Sequence, residues 1–141
     1  MESNNNTNIT IGATVHAPVE KAWEYFTMPE HVTKWNHASD DWHSPKAEND
    51  LRTGGRFVYR MEAKDGSFGF DFGGTYDTVE LHKTIAYTLG DNRKVRVDFS
   101  GNGDSTDITT TFEAESTNPV ELQRNGWQAI LDNFKKYTES N

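Results

Sequence analysis

The chain has 141 residues, the size of one ordinary domain, and its 14 Lys and Arg against 22 Asp and Glu give a net charge of −8. So acidic a chain lacks the basic face that releases counterions from nucleic acid, and anionic membranes repel it. It has no cysteine, which excludes disulfides, thiolate metal centres and cysteine nucleophiles, and no window approaches the ~18 apolar residues of a membrane span.

Residues 1–8 lack the basic-then-apolar order of a secretory signal and read as a disordered tail before one domain over 9–141, with the cytoplasm as the expected compartment. Ile9, Ile11, Ala13 and Val15 then alternate with Thr10, Gly12, Thr14 and His16, so residues 8–16 form a strand with one buried face. Pro18 suits a first helical turn, and Val19, Ala22, Trp23 and Phe26 make an apolar stripe over 18–27. Thr27 and Glu30 have the spacing of a capping box for a second short helix, 28–35, which turns Val32 and Trp35 inward.

Residues 36–54 are polar and turn-rich, a loop with one short strand. Alternation returns with Phe57, Tyr59, Met61 and Ala63 on one face and Arg56, Val58, Arg60 and Glu62 on the other. Asp65-Gly66 signals a hairpin. In the next strand Phe68, Phe70 and Phe72 oppose Gly69, Asp71 and Gly73, and Gly73-Gly74 suggests a bulge or bend. Strands over Thr84–Leu89, Lys94–Ser100 and 105–115 follow, each with one apolar and one polar face, as in an antiparallel sheet covered on one side. The cover is a helix from Pro119 to about Tyr137, with Trp127, Ile130, Leu131, Phe134 and Tyr137 on one stripe and Arg124, Gln128, Asp132, Lys135 and Lys136 on the rest. The order is that of an α+β layer arrangement, with aromatics at 12% supplying a core of large rings.

Three segments, Ala17-Pro-Val-Glu-Lys-Ala-Trp23, Thr27-Met-Pro-Glu-His-Val-Thr-Lys-Trp35 and Gly126-Trp-Gln-Ala-Ile-Leu-Asp-Asn-Phe134, give the chain a resemblance to the START-like (SRPBCC) superfamily. Within it the chain resembles the branch named after homologues of the activator of heat-shock protein ninety ATPase; it departs from the family pattern at Met28, where Asp is usual. The resemblance implies a helix-grip fold: a curved antiparallel sheet of six or seven strands wrapped around a long C-terminal helix, with two short helices after strand one. It also implies non-enzymatic binding of an apolar or aromatic small molecule, lipid- or polyketide-like, between sheet and helix. A chaperone-partner or stress-response role, and a cyclase or hydrolase using the same pocket, are the alternatives it leaves open.

On that fold the expected cavity wall is Phe57, Tyr59, Met61, Phe68, Phe70, Phe72 and Tyr76 from the sheet, with Trp127, Ile130, Leu131 and Phe134 from the helix. Trp35, His37 and Trp42 are expected at its mouth, and Tyr59, Tyr76, His37 or the Trp127 indole N–H would orient a ligand's polar atoms. Gly126 reads either as a helix surface left bare for a ligand or the sheet, or as a loosened first turn. His37, Asp40, Asp41 and His43 match no metal-ligand spacing and read as a solvated loop; His16 and His82 fall on outward faces and His31 on the exposed side of its helix. No nucleophile elbow, phosphate loop, catalytic constellation or cofactor motif is present in the sequence. The expected partner is a hydrophobic small molecule, with a chaperone contact as the alternative, and the expected state is a monomer or weak dimer.

Overall fold

A computed structural model describes residues 7–141; of the expected N-terminal tail, residues 1–6 lie outside the described residues. The elements run β1 (Asn8–Val15), α1 (Val19–Thr27), α2 (Pro29–Trp35), β2 (Trp42–Asn49), β3 (Arg56–Ala63), β4 (Gly69–Glu80), β5 (Thr84–Leu89), β6 (Lys94–Asn102), β7 (Ser105–Glu113) and α3 (Val120–Ser140). The strands form one antiparallel sheet in the order β1-β7-β6-β5-β4-β3-β2, curled around α3, so the architecture is the α+β helix grip.

Period-two alternation dictates the buried face. Ile9, Ile11 and Val15 of β1, Val95, Val97 and Phe99 of β6, and Ile108 and Phe112 of β7 are buried on the concave side, against Leu131 and Phe134 of α3. Because β1 pairs with β7 and β2 closes the opposite edge, α1 and α2 carry the chain from one end of the sheet to the other.

The curl has a local cause at Gly73-Gly74. A Cβ on Gly73 would stand 2.5 Å from the Phe57 carbonyl oxygen, and one on Gly74 would collide with the Thr88 carbonyl. Only glycine lets the flanking backbones approach this closely. The expected bulge is not at this pair: the register shift between β4 and β5 falls between Tyr76 and Thr78.

Two local expectations are corrected. The capping box does not form, because the Thr27 hydroxyl donates to the Trp23 carbonyl at 2.8 Å, back into its own helix; α2 starts with Pro29 in its first turn after an extended Met28. The segment expected to be loop with one short strand does hold one strand, β2, but it runs to eight residues, an edge strand carrying Pro45 and a register shift between His43 and Lys46.

The other edge is covered by a device the polar face of α3 concealed. Arg124, Gln128 and Lys135 donate to the carbonyls of Thr10, Gly12 and Thr14 at 3.2, 3.1 and 2.7 Å. Glu139 accepts from the backbone N–H of His16 at 2.8 Å. Side chains of a helix thus take the place of a neighbouring strand along β1. Gln123 fastens the start of α3 in the same manner, accepting from the Glu115 N–H at 2.8 Å and donating to the carbonyls of Glu115 and Asn118.

Candidate functional site: an apolar cavity between sheet and helix

The rings of the concave face do not close on α3. They leave a cavity of about 230 Å³, far above the roughly 30 Å³ share of one liquid water. Phe57, Tyr59 and Met61 of β3 and Phe70, Phe72 and Tyr76 of β4 line one wall. Trp127, Ile130 and Leu131 of α3 form its roof, and Trp35 at the end of α2 reaches one side.

Four residues expected at the site stand elsewhere. Phe134, fully buried, packs behind the wall with its ring edge-on to Phe26 and Trp35 at centroid distances of 5.2 and 5.1 Å. Phe68 lies in the loop ahead of β4 and is 61% exposed, since the alternation that points Phe70 and Phe72 inward lapses where the strand ends. Trp42 gathers with Phe68 and Phe70 at 6.0 and 6.1 Å into an outer trio; Phe70, which also lines the cavity, is where that trio meets the opening. His37 follows α2 outside the cavity; its carbonyl accepts from Asn133 and its ring Nδ1 is buried without a partner. Burial, and secondarily Lys64, lower the His37 pKa and favour the neutral ring.

Several wall residues were not anticipated from the sequence: Ile11, Phe26, Ile85, Tyr87, Val97 and Thr110. Tyr87 carried a usable signal, since it alternates with Ile85 and Leu89 on the buried face of β5. Thr27 and Asn36 complete the lining, and Asn36 donates to the Met61 sulfur at 3.5 Å.

Three tyrosines share one part of the wall. The Tyr76 hydroxyl donates to Asn49 Oδ1 at 2.5 Å, and Asn49 Nδ2 donates to the Thr27 carbonyl at 2.7 Å. Tyr59 lines the same cavity, and Tyr87 sits beside Tyr76 with ring centroids 6.3 Å apart. Burial pushes all three phenols up, Tyr76 to about 12. Tyr59 and Tyr87 both line the cavity and are intermediate in exposure. The wall holds no Asp, Glu, Lys, Arg or His. At the roof Trp127 lies flat on Phe112, centroids 3.9 Å apart and planes 11° apart, with Phe72 edge-on at 5.9 Å.

The remaining expected features sit on the surface. Gly126 lies within α3, and a Cβ there would meet no other part of the protein, so the sheet does not approach it. His43 pairs with Glu62 at 3.8 Å and Asp41 accepts from Ser39; among the described residues no group of His, Asp and Glu converges to hold a metal. His31 is not on an exposed side: its ring stacks on Tyr25 at 3.9 Å and its Nδ1 lies 2.8 Å from the Tyr137 hydroxyl, joining α2 to α1 and α3. No described helix is long and apolar enough to cross a membrane.

Comparison with known proteins agrees with this geometry. No curated protein matches the chain. The solution structure of an AHSA1-like protein from Aeromonas hydrophila is 41% identical and superposes with a TM-score of 0.89, over 95% of this chain and 93% of that one. The solution structure of Chr148 from Cytophaga hutchinsonii is 54% identical, with a TM-score of 0.82 over the same shares. The crystal structure of CV1439 from Chromobacterium violaceum, 22% identical with a TM-score of 0.85 over 96% and 99% of the two chains, shares the fold. A family model described as Activator of Hsp90 ATPase homolog 1-like protein matches residues 16–139. With the helix grip and its internal cavity in place, the chain belongs to the Activator of Hsp90 ATPase homolog 1-like protein family, a branch of the START-like superfamily.

Proposed function

We propose that the protein binds an apolar small molecule in the cavity between the sheet and α3, without transforming it. The observation that carries this reading is an unfilled space of about 230 Å³ walled by rings and aliphatic side chains in an otherwise close-packed interior. It lies just below the usual ~300–1,000 Å³ of small-molecule sites, so the ligand is small, on the order of two fused rings. Burying about 200 Å² of ligand surface gains about 5 kcal/mol at ~25 cal/mol per Å², before the cost of immobilising the ligand is subtracted.

The chemistry of the wall favours binding over catalysis. A general base at neutral pH needs a pKa near 7, and the phenols here are shifted the opposite way. The test is uptake of prodan, an uncharged lipophilic dye built on two fused rings. The native protein takes it up with a rise in fluorescence, whereas Trp127→Asp and Phe70→Asp, checked for folding by circular dichroism, do not; equal uptake by the folded variants refutes the reading.

A second reading, docking to a chaperone ATPase, draws on the family description and on the outer rings Trp42, Phe68 and Phe70, of which Phe68 is the most exposed. Binding of purified Hsp90 that is lost in Phe68→Ser, with prodan uptake unchanged, would support it.

A further inference from the structure

The cavity wall carries no charge, and its hydroxyls are not equally engaged. Tyr76 gives its proton to Asn49. The Tyr87 hydroxyl makes no hydrogen bond to any described residue, although it lies deep in the interior beside the same cavity. A phenol O–H that lines a cavity without a protein partner is free to donate to a ligand oxygen. A carboxylate or phosphate is a poor occupant, because an anion carried into an apolar cavity needs a cation there. Arg93, the cation that acts on the Tyr87 hydroxyl, does not line the cavity; it is held by Asp91 at 2.7 Å and by the Glu113 carbonyl at 3.4 Å.

We propose that the ligand is uncharged, an apolar body with one hydrogen-bond acceptor that the Tyr87 hydroxyl holds at the part of the wall the tyrosines share. This rests on the cavity reading and adds to it the class of molecule selected. The neutral phenols accept a ketone, ester, ether or alcohol oxygen and turn away a charged head of the same size.

Three naphthalenes of similar size separate the claims: 2-acetylnaphthalene offers an acceptor, 2-ethylnaphthalene offers none, and 2-naphthoate carries a charge. Titrated into the full-length protein at pH 7.5 and followed by tryptophan quenching, the ketone binds about tenfold more tightly than the naphthoate and about three- to tenfold more tightly than the hydrocarbon, the range of one hydrogen bond. Tyr87→Phe brings the ketone down to the hydrocarbon's affinity and leaves the hydrocarbon unchanged, which also reports an intact cavity. Naphthoate binding as tightly as the ketone, or a ketone affinity indifferent to Tyr87→Phe, overturns the proposal while the cavity stands. If 2-ethylnaphthalene does not bind at all, the cavity reading falls and takes this inference with it.

Discussion

Trp127 lies face to face with Phe112, the ring centroids 3.9 Å apart, which fixes the indole as the roof of the cavity. A fully buried Trp→Ala change costs ~3–5 kcal/mol; Trp127 is half-buried because one side of it faces the void, so we expect about 2–4 kcal/mol. Urea unfolding of Trp127→Ala measures this. The same variant should weaken prodan binding at least tenfold, whereas Trp23→Phe, whose ring packs on Phe99 outside the cavity, should leave it unaltered.

The tyrosines predict the response to alkali. Folding raises the Tyr76 pKa to about 12, above its ordinary 10.0, so the unfolded chain gives up that proton first. The stability held by the neutral phenol is therefore complete below about pH 10 and drains away as pH rises toward 12. Absorbance at 295 nm should show Tyr59, Tyr76 and Tyr87 ionising only together with unfolding. Ligand affinity should stay flat from about pH 5 to 9, because nothing else on the wall titrates.

His37 predicts the response to acid. Its lowered pKa means that the folded state resists the imidazolium, so stability is whole above the ordinary 6.5 and is lost as pH falls through it toward the folded value. The groups acting on the ring are Lys64 and His43, which oppose its charge, and Asp40, which favours it. Denaturant midpoints of His37→Gln should fall less between pH 7 and pH 5 than those of the native protein; an identical fall would remove His37 from the account.

The helix side chains along β1 carry a further expectation. Replacing Arg124, Gln128 and Lys135 together by Ala strips three donors from the edge carbonyls. These groups are partly exposed, so we expect a loss of about 1–3 kcal/mol in total, and concentration-dependent association as the bared edge finds another strand. Sedimentation velocity reads the second effect.

Much of the fold is legible in the sequence because alternation and helical stripes are direct images of one-sided burial. Thr84–Leu89 has the bounds of β5 for this reason. What escapes is whatever depends on a partner far along the chain. The bounds of β2 are not marked locally, since it is polar and finds its register only against β3. The stripe of α3 places Leu131 and Phe134 inward alike, but whether a buried ring meets a void or another ring depends on where Phe26 and Trp35 stand. Phe68 was assigned by extending a period beyond the strand that sustains it. Lys135 reads as a solvated charge until the carbonyl of Thr14 is known to lie beneath it.

The account turns on where an apolar guest sits. With 2-ethylnaphthalene bound to methyl-labelled protein, intermolecular nuclear Overhauser effects should reach Ile85, Val97 and Leu131, which face the cavity from three different elements. Contacts confined to exposed Leu81, Leu122 or Val58, with these three silent, would contradict it.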